Sequence, residues 1–139
     1  MKVKDTMHKG VECASPDAAV DSIAKKMKDL DVGAIPIAQN GSLVGIITDR
    51  DIAIRCVAKG RDTSKLTAKD VMTAGVVHCR DTEEVEDAIR IMEGKQIRRL
   101  PVLDEAKRMV GMISLGDISH ALPQAIAGEV TKAVSAHHD

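Results

Sequence analysis

The 139-residue sequence contains no Phe, Tyr or Trp. No base can stack on an aromatic ring here, so single-stranded nucleic acid loses its usual platform. A nucleobase would have to lie between aliphatic side chains and backbone. No stretch reaches the roughly 18 apolar residues of a membrane helix. The opening "MKVKDTMHKG" lacks the apolar core of a signal peptide. A cytoplasmic protein with no membrane partner is the expectation. Cys13, Cys56 and Cys79 show no CxxC spacing, and an odd count in such a chain argues against a disulfide framework. Twenty basic residues face 21 acidic ones, for a net charge of −1, and no long block carries one sign. A nucleic-acid partner bound by bulk electrostatics is therefore not expected. There is no GxGxxG, no P-loop and no Ser/His/Asp or Cys/His arrangement in a familiar context, so no enzyme is expected.

What is present is aliphatic and repetitive. Hydrophobic residues make up 44% and charged residues 29%, the balance of a globular chain. Seven Met join Ile, Val, Leu and Ala as core filler. "VGIITDRDI" at 44–52 returns as "VGMISLGDI" at 110–118, with five of nine positions identical. At an offset of 65, Met7 meets Met72, Val20 meets Val85, Met27 meets Met92, and "IPI" at 35–37 meets "LPV" at 100–102. One extra residue between Pro101 and Val110 then moves the offset to 66. The repeat spans most of the chain.

Each copy reads strand, helix, strand, strand, helix. The first strands are expected at 11–13 and 76–79. In the first copy Ser15-Pro16-Asp17 opens a helix carrying Val20, Ile23, Met27 and Leu30 at helical spacing. In the second, Asp81 and Glu84 suit a capping box ahead of Val85, Ala88 and Met92. Hairpins follow over 34–38 and 43–48, and over 99–103 and 109–114. Asn40-Gly41 is a tight-turn signal; the "NGS" sequon there reads as that turn. Sixty residues bury too little surface to be secure alone, so two copies packed with pseudo-twofold symmetry are expected. The boundaries read as repeat 1 over 1–60, a polar linker over 61–69, repeat 2 over 70–122, and a C-terminal helix and tail over 123–139. The fold class is α/β (α+β), two β-α-β-β-α repeats plus that helix.

With "GAIPI…LVGIITDRDI", "IRRLPV…MVGMISLGDI" and the lead-in "DVMT" at 70–73, the chain resembles a tandem CBS domain pair, or Bateman module, of the hypoxic-response type. The resemblance implies clefts between the repeats that take adenosine-containing ligands: AMP, ADP, ATP or S-adenosylmethionine. It also implies that a Thr/Ser-x-x-Asp element anchors them. Here those elements are Thr48-Asp49-Arg50-Asp51 and Ser114-Leu115-Gly116-Asp117. A carboxylate accepts from ribose hydroxyls; a hydroxyl and free N–H groups at a helix start suit phosphate. Arg50, Arg98 and Arg99 add positive charge, and adenine would lie against Ile35 and Leu100. The family further implies a homodimer and a regulated partner protein.

The same four-residue elements have a local explanation, because [ST]-x-x-[DE] before a helix is a capping box. A ligand-free dimeric scaffold therefore stands as an alternative to a nucleotide sensor. A second alternative is a metal or redox responder. Cys13 aligns with His78, next to Cys79, with His8 nearby, although the spacing matches no metal motif.

Overall fold

The computed structural model describes residues 1–121 and Val134. In chain order the elements are α1 (Val3–Thr6), α2 (Val20–Leu30), β1 (Ala34–Gln39), β2 (Ser42–Thr48), α3 (Asp49–Ile52), α4 (Ala68–Val71), β3 (Cys79–Arg80), α5 (Val85–Lys95), β4 (Arg99–Leu103), β5 (Met109–Ser114) and α6 (Leu115–Ala121). A π-helical turn, Ala53–Val57, continues α3. The chain forms two compact units. One is Glu12–Val76; the other joins Met1–Val11 to the chain from Val77 on.

This division differs from the expected boundaries, and backbone hydrogen bonds give the reason. In the first unit Ala68 N–H donates to the Ala18 carbonyl (2.9 Å) and Lys69 N–H to that of Pro16 (3.0 Å). In the other, Val3 N–H donates to the Glu83 carbonyl (2.8 Å) and Lys4 N–H to that of Asp81 (3.1 Å). These pairs correspond under the repeat offset. Each copy's lead-in helix thus docks on the other copy's long helix. Residues 61–69, expected as a linker, pack into the first unit in this way: Leu66 and Thr63 carbonyls receive the Val20 and Asp21 N–H groups at 2.9 and 3.2 Å.

The same bonds move the helix starts. The first N–H groups of a helix lack intrahelical partners. Val20 finds the Leu66 carbonyl, and Val85 finds the Met1 carbonyl at 2.9 Å. Ser15 does not cap α2. Its Oγ accepts from Asp17 N–H (3.2 Å), closing a turn ahead of the helix. The expected box at Asp81 and Glu84 shifts by three residues to Glu84 and Asp87, where Glu84 N–H donates to Asp87 Oδ2 (3.0 Å). The carbonyls of Asp81 and Glu83 are taken by the docked lead-in. Hydrogen bonds from Lys2 and the terminal amine hold the exposed Glu84 carboxyl below its ordinary pKa.

Both long helices bury most of the expected stripe, Val20, Ile23 and Met27 in α2 and Val85, Ala88 and Met92 in α5, but Leu30, expected in the first stripe, is 44% exposed at the end of α2. Each large side chain so buried contributes about 1.5–3 kcal/mol. Asp31 and Gln96 close the two helices in left-handed conformation at φ 53°.

The hairpins form as read. β1 pairs antiparallel with β2, and β4 with β5. Asn40 and Gly41 both take positive φ in the first turn, as a primed turn requires. Register shifts fall at equivalent places, Ile37/Ala38 and Val102/Leu103. The first strands are shorter and later than expected. In the second unit β3 pairs parallel with β4 through Cys79 and Arg80; in the first a single parallel bridge joins Ala14 to Ile37. One core gathers around Ile23, Ile35, Ile37, Ile47 and Val71, the other around Val3, Val85, Leu100, Val102 and Ile113. The expected C-terminal helix lies outside the described residues apart from Val134, which is buried in the second of these cores.

Each lead-in also crosses a hairpin. Thr73 and Ile46 exchange both backbone hydrogen bonds (2.9 and 3.0 Å), as do His8 and Met112 (2.8 and 3.0 Å). Gly45 and Gly111 sit under these crossings. A Cβ on Gly111 would lie 2.7 Å from both the His8 carbonyl oxygen and Met7 Sδ; one on Gly45 would lie 2.5 Å from Met72 Sδ.

Candidate functional site

The two Thr/Ser-x-x-Asp elements stand where the hairpins hand over to α3 and α6. The strand end fixes the extended backbone of Thr48, and the turn before β1 ties down the helix start: Asp49 N–H donates to the Gly33 carbonyl (2.9 Å). Leu115 N–H does the same to the Arg98 carbonyl at 2.8 Å.

Both elements are complete capping boxes. Thr48 Oγ1 accepts from Asp51 N–H (3.1 Å), and Asp51 Oδ2 accepts from Thr48 N–H (2.9 Å). Ser114 Oγ accepts from Asp117 N–H (3.0 Å), and Asp117 Oδ2 accepts from Ser114 N–H (2.9 Å). One carboxylate oxygen of each Asp is therefore committed to its own helix. The other oxygen differs between copies. Asp51 Oδ1 faces Arg55 Nε at 3.8 Å. Among the described residues no cation pairs with Asp117, and Ala121 stands where the first copy has Arg55.

Each unit brings a hydroxyl, a carboxylate and an arginine into one sequence neighbourhood or ladder. Arg50 lies exposed within the first element. In the second unit the β4–β5 register sets the exposed Arg99 directly opposite Ser114, with Arg98 one residue before it. Ile35 and Leu100 do not join these groups. They were expected to face an adenine, but their side chains are 1% and 0% exposed inside the cores. They sit on strands buried on both faces, with Ala34–Ile37 and Leu100–Leu103 buried at four consecutive residues each.

The metal and redox candidates fall in both units, with His8 in the second. Cys13 belongs to the first unit, His78 and Cys79 to the second. No group of three His, Cys, Asp or Glu among the described residues is placed to hold a metal ion. Burial pushes the Cys79 thiol up to about 12, with Glu83 adding to the rise. Burial also raises Cys13, against the opposing effect of Lys26. The thiolate is the metal ligand and the nucleophile. Cys79 is therefore held as the neutral thiol at neutral pH. A disulfide thiol reagent is accordingly expected to label Cys13 first and to leave Cys79 until the protein unfolds. Fast labelling of Cys79 in the folded protein at pH 8 would contradict this placement.

Two features escaped the sequence reading. Arg55 was visible as a charge where the other copy has alanine. The glycines of "VGII" and "VGMI" repeat at the offset, but nothing local shows what crosses above them.

Two copies of one hairpin-and-helix unit, each ending in a capped Ser/Thr-x-x-Asp, define a tandem-repeat α+β protein. The family model of the CBS domain matches residues 3–57 and again 68–124, and the chain belongs to that family. A CBS domain-containing protein of Bacillus subtilis, YhcV, is 42% identical over 117 residues, 84% of this chain and 82% of its own length. Hypoxic response protein 1 of Mycobacterium tuberculosis is 32% identical over 132 residues, covering 94% of this chain and 92% of that protein. The crystal structure of that type, with two coordinated zinc ions, superposes with a TM-score of 0.81 at 33% identity, over 88% of this chain and all of that one. The CBS pair of MJ0100, in complex with 5-methylthioadenosine and S-adenosyl-L-methionine, is 31% identical with a TM-score of 0.76, over 87% and 98% of the two chains. CBSX2 in complex with AMP is 25% identical with a TM-score of 0.77, over 90% and 98%. The inosine-5'-monophosphate dehydrogenase of Methanocaldococcus jannaschii is 34% identical over 118 residues, but the match takes up 23% of that enzyme. Likeness to this enzyme is confined to a minor part of it. Among the described residues no helix is long and apolar enough to cross a membrane.

Proposed function

We propose that this protein senses an adenosine-containing ligand and reports it to a partner protein, without catalysis of its own. The observation that carries the reading is the pair of half-used aspartates. Asp51 and Asp117 each commit Oδ2 to a helix cap; Oδ1 of Asp51 faces Arg55 Nε at 3.8 Å, longer than a hydrogen bond, and a closer donor can take it. A ribose diol supplies such donors. The expected free N–H groups at the helix starts are taken, since those of Asp49, Arg50, Asp51, Leu115 and Asp117 all bond within the chain, so phosphate falls to Arg50 in one unit and to Arg98 and Arg99 in the other as counter-charges. The ligand class follows the AMP and S-adenosylmethionine complexes of the related pairs. Three free cysteines suit the reducing cytoplasm. Isothermal calorimetry with AMP, ADP, ATP and S-adenosylmethionine tests the reading directly. It avoids intrinsic fluorescence, which a chain without Trp or Tyr does not offer.

The completeness of both capping boxes favours a second reading, a ligand-free scaffold in which these residues hold helices and nothing else. Heat of binding with none of the four ligands would select it.

The protein works as a homodimer in either reading. Ile54 and Val57 are 51% and 66% exposed less than one turn apart on the π-helical segment. A second copy would remove this apolar surface from water, worth roughly 25 cal/mol per Å². Light scattering at micromolar protein is expected to give a dimer mass, and Ile54→Glu with Val57→Glu a monomer. A monomeric wild type would overturn the dimer.

A further inference from the structure

Arg55 joins two parts of the first unit that the sensing role would need to connect. Its Nη1 donates to the Val71 carbonyl at 2.8 Å and reaches the Met72 carbonyl at 3.4 Å. Its Nε faces Asp51 Oδ1 at 3.8 Å. Val71 ends α4, and a guanidinium at a helix C-terminus satisfies carbonyls that have no intrahelical partner. Beyond Met72, Thr73 exchanges both backbone hydrogen bonds with Ile46 of β2, and the chain leaves the unit at Val76. Arg55 stems from the π-helical turn Ala53–Val57. Such a turn rotates the residues after it relative to an α-helix and recurs at functional sites. At the position that matches Arg55 the second copy carries Ala121, which has no guanidinium.

We infer that Arg55 is a positioning residue that couples the state of the Asp51 carboxylate to the segment 68–73, where the chain passes from the first unit toward the second. The inference rests on Asp51 as a ligand anchor. A ribose hydroxyl arriving at Asp51 takes the oxygen that Arg55 faces. The guanidinium then either tightens on the carboxylate or yields it, and its hold on the Val71 and Met72 carbonyls changes with it. Asp117 lacks this link, so the two copies differ in output as well as in binding.

Hydrogen exchange at the amides of Met72 and Thr73 reads the coupling in the full chain. Three variants are compared with wild type: Arg55→Met, which keeps the aliphatic stem, Asp51→Asn, which keeps the shape of the cap, and the double variant. In the absence of ligand each single variant is expected to speed exchange there by roughly fivefold to tenfold, and the double no further, because the two groups act through one contact. Arg55→Lys should restore part of the protection. Additive effects, or no effect of Arg55→Met on these amides, would overturn the coupling. Saturating AMP in an Asp117→Ala background is the second arm. AMP should change exchange at Met72 and Thr73 with Arg55 present and leave it unchanged with Arg55→Met. An equal AMP response in both would also overturn the proposal. No AMP binding together with non-additive variants would count against Asp51 as a ligand anchor and leave the Arg55 coupling standing.

Discussion

With AMP at a hundred times its dissociation constant, the wild-type protein is expected to melt about 5–10 °C higher than without it. Ligand at that excess stabilises the native state by about 2.7 kcal/mol, and a domain of this size moves by a few degrees for each kcal/mol. Asp51→Ala and Asp117→Ala are expected to remove most of the rise at the anchor each one disables. Either substitution deletes charge-assisted hydrogen bonds worth roughly 1.5–3 kcal/mol, or about tenfold to a hundredfold in affinity. The cap is lost as well, because Oδ2 of each Asp accepts from the Thr48 or Ser114 N–H. That loss lowers the unliganded melting point by the equivalent of about 0.5–2 kcal/mol. The two effects separate cleanly: the cap acts without ligand, the anchor only with it. Asp→Asn narrows the difference, since the amide oxygen still accepts from the backbone while the charge is gone. If protein freed of carried-over ligand shows no shift with any adenine nucleotide at millimolar concentration, the sensor reading fails and the scaffold remains.

Gly111→Ala is expected to destabilise the protein by about 1–3 kcal/mol, the range of an overpacked site, or a fall of about 4–12 °C in Tm. The added methyl would sit 2.7 Å from the His8 carbonyl oxygen. That oxygen is fixed by its hydrogen bond from Met112 N–H, so it has little freedom to withdraw. Gly45→Ala is expected to cost less. Its closest contacts are Sδ and Cγ of Met72, a flexible side chain, and the Thr73 carbonyl oxygen stands off at 3.0 Å. Differential scanning calorimetry of the two variants checks the order. Hydrogen exchange at His8 and Met112 should accelerate in Gly111→Ala, because the strain falls on that bridge. Equal stability of Gly111→Ala and wild type would mean that the lead-in does not cross β5 as described.

The sequence alone determined the repeat, both hairpins, the buried helical stripes and both Ser/Thr-x-x-Asp elements. These features are local, and they are written twice. The matching "IPI" and "LPV" strands, spacing three and four from Val20 to Met27, and the Asn40-Gly41 turn depend on neighbours a few residues away. The offset repeats the helical spacing and the strands in the second copy, while the Asn40-Gly41 turn gives way there to a longer polar loop. Only the tertiary structure decided which lead-in serves which helix. A polar stretch such as 61–69 looks like a linker because most of its side chains are polar, while Leu66 and Ala68 pack into the first core and the Thr63 and Leu66 carbonyls, silent in the sequence, cap α2. The same long-range bonds moved both helix starts away from Ser15 and Asp81. The structure also placed Ile35 and Leu100 inside the cores, on strands buried over four consecutive residues, which a local strand pattern does not reveal. It also brought Arg55 to Asp51 and to the Val71 and Met72 carbonyls. A side chain that bridges 16 residues of sequence leaves no periodic trace, and its partners there are backbone oxygens that every residue carries.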